Sequence, residues 1–236
     1  MKRVSSAARG SRPRPQAPVR RYDDACGTAH GLELLGDRWA LLVVRELLLG
    51  GRRFSQLRAD LPGISANVLT QRLAELEERG ILVHRRLAPP ASVSIYELTP
   101  WGHEAETIVL SLGRWAARSP LHDPTLQISP VSTMLSLRTM FSAAHAGDMQ
   151  ARVVFMLGDE TYCCVVSKGQ FTLERGAVDG ADVIFEGTAQ GLAAAVHGGQ
   201  SFKALAAAGL LRVTGDLLLA RKFARVFPLP DKVSKT

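Results

Sequence analysis

The stretch that decides the fold spans residues 64–80 and reads Ile64-Ser65-Ala66-Asn67-Val68-Leu69-Thr70-Gln71-Arg72-Leu73-Ala74-Glu75-Leu76-Glu77-Glu78-Arg79-Gly80. At about 100° per residue, three leucines fall on one narrow apolar stripe: Leu69, Leu73 and Leu76. Three uncharged polar residues point away from that stripe near the N-terminal end: Asn67, Thr70 and Gln71. Ser65 is a suitable N-cap, and Gly80 is a suitable residue to end the helix. The stretch therefore predicts a helix with one buried and one polar face, a pattern that an ordinary amphipathic helix also shows.

Two helices and a turn are predicted before this stretch. The near-continuous apolar run over residues 37–49 predicts a buried helix capped by Asp37. After the break at Gly50-Gly51, residues Phe54–Asp60 predict a short helix, and Leu61-Pro62-Gly63 forms a turn. Helix, turn and second helix in this order is the arrangement of many DNA-binding domains.

A hairpin is predicted after the helix. Residues 81–87 and 93–98 are rich in β-branched and apolar side chains, which favours two strands. They flank the loop Ala88-Pro89-Pro90-Ala91-Ser92. Such a hairpin following a helix-turn-helix is a wing.

With these residues placed, the chain from Cys26 to about Ser119 resembles the HxlR-type winged-helix transcriptional regulators, relatives of the MarR group. The motifs that carry the resemblance, in family order, are Cys26, Leu34-Leu35-Gly36-Asp37-Arg38-Trp39, Arg53-Phe54-Ser55-Gln56-Leu57, Leu61-Pro62-Gly63-Ile64-Ser65, Leu69-Thr70-Gln71-Arg72-Leu73, Leu76-Glu77 and Tyr96-Glu97-Leu98-Thr99. The resemblance implies a homodimer, in this family more often a repressor, on pseudo-palindromic double-stranded DNA. Two recognition helices would enter successive major grooves about one helical turn apart.

The chemistry of the side chains assigns the expected DNA contacts. Amides such as those of Asn67 and Gln71 pair with adenine, and the Thr70 hydroxyl bonds a base or a phosphate. Val68 suits a thymine methyl group. Ser65 begins the helix, whose free amides and dipole favour a phosphate.

Four arginines complete the expected DNA-binding set. Arg53, Arg85 and Arg86 supply charge without sequence information and would bind phosphates. Arg72 lies nearer the apolar stripe, so an internal ion pair and a phosphate contact both remain open. Many relatives have an arginine soon after the double proline, whereas this loop continues Ala91-Ser92-Val93-Ser94. Minor-groove reading by the wing tip therefore does not follow from the resemblance.

The last helix of this region is the expected dimerisation element. Thr99 can cap it, with Pro100 at its first position. Three side chains give it an apolar edge that a small domain has no need to expose: Ile108, Leu112 and Trp115. The alternative is that this edge packs on the second domain of the same chain.

Charge is concentrated at the N-terminus. The formal net charge is +7 and the isoelectric point about 9.8. Residues 1–21 hold seven arginines and lysines and no acidic residue, which predicts a disordered basic arm. The arm would strengthen DNA association through counterion release, or serve only as a solvated tail. Because no apolar run resembles a signal peptide or a membrane helix, we expect a cytoplasmic protein without a membrane partner.

A second domain follows a linker over residues 120–130. A helical stretch is expected over 131–144, and strands over 153–157, 162–166, 171–173 and 183–185. Turns at Gly158-Asp159 and Lys168-Gly169 imply an antiparallel meander. Helices over 189–197 and 202–208, a strand over 211–214 and a final helix from Asp216 complete an α+β domain.

This domain, residues 131–230, resembles the sterol-carrier-protein-like fold. The likeness rests on Ala181-Asp182-Val183-Ile184-Phe185-Glu186-Gly187-Thr188, the Ala-rich helix after it, and Gly209-Leu210-Leu211-Arg212-Val213-Thr214-Gly215-Asp216. It implies an apolar cavity between sheet and helices for a hydrophobic small molecule. Candidate lining residues are Met134, Met140, Phe141, Phe155, Phe171, Phe185 and Phe202. Each of them is as readily explained as ordinary core.

The three cysteines do not predict a disulfide framework. Cys163 and Cys164 are neighbours on an expected strand, so they point to opposite faces and suit burial. Cys26 stands where the first helix begins, and helix-terminal dipoles lower a thiol pKa. Some HxlR-type relatives sense oxidants with a cysteine here, usually followed by proline, whereas this one is followed by Gly27.

An enzyme is the weakest interpretation of the chain. The six histidines form no metal-binding spacing, and no phosphate loop or nucleophile elbow occurs, so no metal or cofactor is predicted.

The sequence predicts an α+β protein of four parts: a basic arm (1–21), a winged-helix DNA-binding and dimerisation domain (22–119), a linker (120–130) and a sterol-carrier-like ligand-binding domain (131–230). Its predicted function is a DNA-binding regulator gated by an apolar effector. A ligand carrier or scaffold that only dimerises through the winged helix, and a regulator that senses redox state through Cys26, are the alternatives.

Overall fold

The computed structural model describes residues 22–89 and 91–234. The predicted basic arm and the wing residue Pro90 lie outside these ranges. The chain divides into a unit that ends at Asp37 and a larger unit that begins at Arg38. Among the described residues of the first unit, 22–37, helix α1 (Gly27–Leu35) begins after Cys26 and ends at Gly36.

The elements of the N-terminal half from Arg38 onward are α2 (Ala40–Leu47), α3 (Phe54–Asp60), α4 (Ala66–Glu78), β1 (Leu82–Arg86), β2 (Ser94–Leu98), α5 (Pro100–Glu104) and α6 (Glu106–Ala117). The short helix and the long helix after it match their predicted bounds, and Gly63, with φ of +87°, forms the turn between them. β1 and β2 form the predicted antiparallel hairpin, with Leu82 opposite Leu98 and Arg86 opposite Ser94. This half is therefore a winged helix-turn-helix.

The predicted start of the second helix is wrong. It was expected to be capped by Asp37, but α2 begins at Ala40, and its N-cap is Trp39. Trp39 has φ of +82°, a left-handed backbone that L-residues other than glycine and asparagine rarely adopt. A helix cannot run through such a residue, so α2 starts after it. The predicted last helix is likewise divided into α5 and α6 at Ala105.

The C-terminal half consists of α7 (Pro130–Met140), α8 (Ala143–Ala146), β3 (Ala151–Leu157), β4 (Glu160–Ser167), β5 (Gln170–Arg175), β6 (Val183–Gly187), α9 (Ala189–Val196), α10 (Phe202–Ala207), β7 (Leu211–Gly215) and α11 (Leu217–Phe223). Its five strands form one sheet in the order β5-β4-β3-β6-β7. This half is α+β, as predicted.

Two local predictions in this half need correction. The stretch 131–144 is not one helix, because Phe141 leaves the helical region with ψ of 133° and Ser142 caps the separate helix α8. The meander holds for β3, β4 and β5, but β6 pairs with β3 in parallel, with Phe155 opposite Phe185. A parallel neighbour requires a crossover rather than a tight turn, and the segment between β5 and β6 supplies it.

Phenylalanines fill the core of the C-terminal half. Phe155 and Phe185 stack across the parallel strand pair with ring centroids 5.7 Å apart. Phe223 on α11 contacts both rings at 6.0 Å and connects to Phe227 at 5.0 Å. Because aromatic pairs add to the free energy gained by burial, this cluster fixes α11 on the sheet.

A buried charged cluster, called here the Arg52 cluster, joins the two halves. Arg52 is 1% exposed, and its guanidinium contacts Asp60 at the end of α3 and Glu160 at the start of β4. Glu160 also accepts from Arg175 Nη1 at 2.8 Å and from the Tyr162 hydroxyl. Two cations thus face two carboxylates in a cluster whose most deeply buried member is Arg52, while the Arg175 side chain is 30% exposed.

Other contacts join the halves outside this cluster. Glu46, which is fully buried on α2, accepts from Arg45 at 2.7 Å and from the Ser129 hydroxyl at 2.8 Å. Glu106 on α6 forms an ion pair with Arg138 on α7. A strap of residues 231–233 lies on the end of α6, where Lys232 Nζ donates to the carbonyls of Ala117 and Ser119, each at 2.9 Å.

Replacing Arg52 should destabilise the protein strongly. Arg52→Met leaves Asp60 and Glu160 without their shared cation, and removing one member of a buried ion pair typically costs about 3–5 kcal/mol of unfolding free energy. Chemical denaturation monitored by circular dichroism measures this change. The matched control is Arg53→Met, which removes an exposed neighbouring charge and should alter stability by about 0.5 kcal/mol or less. Equal denaturation midpoints for the two variants would contradict the role given to the cluster.

Candidate functional site

The exposed polar face of α4 is the first candidate site. Ser65 caps the helix, its hydroxyl accepting from the Val68 amide at 3.3 Å, and Gly80, with φ of +71°, follows its end. The three leucines of the predicted stripe are buried, at 1% exposure or less. Asn67, Thr70 and Gln71 are exposed. The structure therefore gives α4 the two faces that the sequence predicts.

The polar side chains of this face are partly engaged within the helix. Thr70 Oγ1 donates to the carbonyl of Ala66 at 2.9 Å, and Gln71 Nε2 donates to Glu75 Oε1 at 2.9 Å. Val68 is half-buried beside them. Both hydrogen bonds are local and exposed, so an incoming base edge can replace them at a small net cost in free energy.

Arg72 does not belong to the exposed face. Its side chain is 11% exposed and forms an ion pair with Glu75, one turn along the same helix. Of the two alternatives that the sequence left open for Arg72, the internal ion pair describes this structure. Glu75 thus binds Arg72 through one oxygen and Gln71 through the other.

The other predicted cations lie at the surface. Arg53, just before α3, and Arg86, at the end of β1, are exposed. Arg85 is also on the wing, with its side chain 66% exposed and its Nε 3.5 Å from Glu97 Oε2. Such a pair is loose and solvent-screened, so Arg85 retains its capacity for a phosphate.

The predicted apolar edge is exposed on α6. Ile108 is 53% exposed, Leu112 is 45% exposed and Trp115 is 72% exposed. Side chains of this size rarely stay in water as a contiguous stripe, which marks an interaction surface. In this structure the edge is not covered by the C-terminal half, although α6 contacts α7 and the strap.

The residues predicted to line an apolar cavity mostly lie in the core. Met134, Met140, Phe155 and Phe185 are buried at 4% exposure or less. Phe141, Phe171 and Phe202 are half-buried. The five phenylalanines belong to one cluster of contacting rings, completed by Phe223 and Phe227.

An open groove lies at the edge of this aromatic cluster. It has a volume of about 560 Å³, and its lining includes Val196, His197, Phe202, Arg221, Phe227 and Leu229. Burial lowers the pKa of His197, whose Nε2 is 2.8 Å from the Ser136 hydroxyl. The lining also includes Lys203 and Arg225, so with Arg221 the groove combines apolar side chains with three cations.

The three cysteines differ in reactivity. Hydrogen bonds from the amides of Thr28 and Ala29 at the start of α1 lower the pKa of the exposed Cys26 thiol. Burial and the charge of Glu174 raise the pKa of Cys163, and burial raises that of Cys164 further. Cys26 is therefore the thiol with the most thiolate character at neutral pH.

Sequence reasoning missed the Arg52 cluster and the strap. Arg52 stands beside Arg53 in the sequence, but only Arg52 is buried, where it contacts Asp60 and Glu160, the latter 108 residues away. No local pattern reports such a pairing. Phe223 follows the Asp216 cap at helical spacing, a signal that does place it on the buried side of α11, whereas Phe227 lies beyond the end of that helix.

Within the described ranges, no helix is long and apolar enough to cross a bilayer, and no group of three acidic, histidine or cysteine side chains is arranged to hold a metal ion.

Comparison with known proteins assigns both halves. The HxlR-like helix-turn-helix family model matches residues 34–122, and the SCP-2 sterol transfer family model matches residues 142–228. The chain is 41% identical over 86 residues to the uncharacterized HTH-type transcriptional regulator YvaP of Bacillus subtilis, a match that covers 36% of this chain and 79% of YvaP. It is 37% identical over 84 residues to the HTH-type transcriptional regulator YodB of Bacillus subtilis, covering 35% of this chain and 74% of YodB.

A solved structure also matches the N-terminal half. The reduced form of YodB from Bacillus subtilis is 30% identical to this chain, with a TM-score of 0.37, and the match covers 42% of this chain and 98% of the YodB chain. Both resemblances predicted from the sequence motifs are confirmed by the family matches.

The order of cysteine alkylation follows from the pKa directions. With iodoacetamide at about neutral pH, Cys26 should react first because its lowered pKa leaves more thiolate, Cys163 more slowly and Cys164 last. Timed quenching followed by peptide mass spectrometry measures the three rates. In denaturant the rates should converge, which serves as the control. Modification of Cys163 before Cys26 in the folded protein would contradict the assignment.

Proposed function

This chain belongs to the HxlR-like helix-turn-helix family of transcriptional regulators, and from that premise we propose that it is a homodimeric repressor gated by an apolar small molecule. The repressor inserts α4 of each protomer into the major groove of an inverted-repeat DNA site. The C-terminal half binds the effector and changes the affinity of the dimer for that site.

The observation that carries the DNA-binding proposal is the exposed face of α4. Asn67 and Gln71 present amides near the start of a helix whose opposite side is fixed in the core by buried leucines. Amides read adenine through paired hydrogen bonds in the major groove. Arg53, Arg85 and Arg86 lie at the surface and supply the charges that bind phosphates.

The exposed apolar edge of α6 supports a dimer. Two copies that bury Ile108, Leu112 and Trp115 against each other would remove this surface from water. A two-fold symmetric dimer presents two recognition helices to half-sites about 34–36 Å apart. The two-fold axis of the proposed dimer thus accounts both for burial of the apolar edge between two copies and for the inverted repeat in the DNA site.

The groove beside the aromatic cluster supports gating. Its volume of about 560 Å³ suits a small organic molecule, and Phe202 and Phe227 connect it to the core of the C-terminal half. A ligand that inserts between these rings must displace packed side chains, and packed cores respond by switching between arrangements. The effector acts only if it binds the DNA-competent and DNA-released forms with different affinity.

Redox sensing through Cys26 is the second candidate, favoured by its exposure and lowered pKa. In this alternative an oxidant or electrophile modifies Cys26 and weakens DNA binding. Cys26→Ser would then abolish the oxidant response and leave the response to an apolar effector intact.

Selection of binding sites from a random duplex pool tests the DNA-binding proposal. At about 150 mM salt, where nonspecific binding is weak, the protein should enrich an inverted repeat with half-sites about one helical turn apart. The double variant Asn67→Ala with Gln71→Ala should bind that repeat at least tenfold more weakly, since each paired contact contributes about 1–3 kcal/mol of discrimination.

The matched control is Gln190→Ala, which removes an exposed amide from α9 and should leave the selected sequence unchanged. If no sequence is enriched and the protein binds any duplex in a salt-sensitive way, the DNA-binding proposal is wrong and a ligand carrier or scaffold is favoured.

Mutual exclusion of operator and apolar probe tests gating. Nile red fluorescence should report binding of the probe in the groove. Leu229→Trp narrows the groove and should therefore weaken Nile red binding. Saturating operator should raise the Kd of Nile red about fivefold or more, because coupled sites change each other's affinity by the same factor.

The control for this test is Leu218→Trp, at a residue 69% exposed that does not line the groove. Identical Nile red affinities with and without operator DNA would contradict the proposal that this groove gates DNA binding, and would leave the DNA-binding proposal unaffected.

A further inference from the structure

Arg52 is part of the wing as well as of the charged cluster. Its amide donates to the carbonyl of Tyr96 at 2.9 Å, and its carbonyl accepts from the Tyr96 amide at 2.8 Å. These two bonds add a third backbone segment beside β2. The Tyr96 ring stacks on His84 of β1, with centroids 4.4 Å apart. Arg52 is therefore joined to the hairpin directly through its backbone.

The guanidinium of Arg52 ties the helix-turn-helix to the same point. One nitrogen contacts Asp60, the last residue of α3, and the turn into α4 begins at the next residue. The Arg52 side chain is 2% exposed, so its charge requires compensation within the protein. Asp60 supplies one carboxylate, and the other comes from the C-terminal half.

That second carboxylate, Glu160, is held from several sides. It opens β4 opposite Leu157 of β3, and it accepts from the Tyr162 hydroxyl and from Arg175. Arg175 in turn donates through Nε to the carbonyl of Leu49 at 3.1 Å and lies over the Tyr162 ring. Burial raises the pKa of Tyr162 to about 12, so its hydroxyl keeps the proton that it donates. Glu160 is a fixed anchor rather than a mobile surface acid.

We propose that Glu160 is a positioning residue for DNA recognition: by anchoring Arg52 to the C-terminal sheet, it holds the wing and the helix-turn-helix in one fixed relation. This inference rests on the proposed DNA-binding function. Recognition needs its contacting groups held within about 0.5 Å. Without the Glu160 carboxylate, Arg52 retains only its ion pair with Asp60. The hairpin and α4 are then no longer connected through Arg52 to the C-terminal sheet.

The test is Glu160→Gln, a substitution of equal size that removes the charge. The affinity of the full-length variant for the selected operator and for a random duplex is measured at one salt concentration. We expect the ratio of these affinities to fall about tenfold, with binding to the random duplex unchanged, because phosphate contacts do not depend on a fixed relation between wing and helix. The matched control is Glu106→Gln, which breaks the other ion pair between the halves, to Arg138, and should change the ratio less than twofold.

A loss of folding is separated from a loss of positioning by a second variant. Tyr162→Phe keeps the ring and removes only the hydrogen bond to Glu160, so it should lower the ratio in the same direction at a near-native melting temperature. If the wild-type protein shows no preference for any operator, the proposed function and this inference both fail. If the wild type prefers its operator and both variants keep the wild-type ratio, the inference alone is overturned.

Discussion

The compensation of one buried cation is the constraint on which the rest of the structure depends. Arg52 can lie at 1% exposure only because two carboxylates meet it, Asp60 from the neighbouring helix α3 and Glu160 from the distant strand β4. An uncompensated charge at that depth would be far more costly in free energy than any single surface contact could repay. The helix-turn-helix, the wing and the C-terminal sheet therefore meet at one place. The Glu160 carboxylate comes from a part of the chain that lies outside the HxlR-like match over residues 34–122.

The face of α4 that we propose for DNA binding has a rigid buried side and an adaptable exposed side. Buried leucines fix the axis of α4, and Ser65 fixes its start. On the exposed side, Glu75 holds Gln71 through one oxygen and Arg72 through the other. A base that takes the Gln71 amide leaves Glu75 with its arginine, so no buried charge is stranded. The helix can thus exchange an internal hydrogen bond for an external one without a loss of stability elsewhere.

Local rules predicted most of this fold from the sequence. Caps, turn residues and periodicity placed α3, α4, the hairpin and the strands, because each of these signals acts over a few residues. The errors arose where a distant part of the chain decides the outcome. The left-handed backbone at Trp39 and the exit of Phe141 from its helix are not encoded by glycine or proline at those positions. The parallel partner of β3 and the pairing of Arg52 with Glu160 depend on tertiary structure alone. The candidate DNA-binding face was visible in the sequence, since it follows from one helix. The groove was not, since its lining comes from two separate stretches, residues 195–203 and 221–229.

The strap of residues 231–233 connects the wall of the groove to the end of α6. Residues 227–229 form part of the groove wall, and Lys232, three residues further on, holds the carbonyls at the end of α6. The strap thus adds to the Arg52 cluster, the Glu46–Ser129 hydrogen bond and the Glu106–Arg138 ion pair, which also join the two halves. Because contacts join the two halves at several places, the C-terminal half is not free to rotate about the linker between α6 and α7. A rearrangement of the groove wall would therefore act on the C-terminal end of α6, just beyond Trp115 of the apolar edge through which we propose that two copies associate.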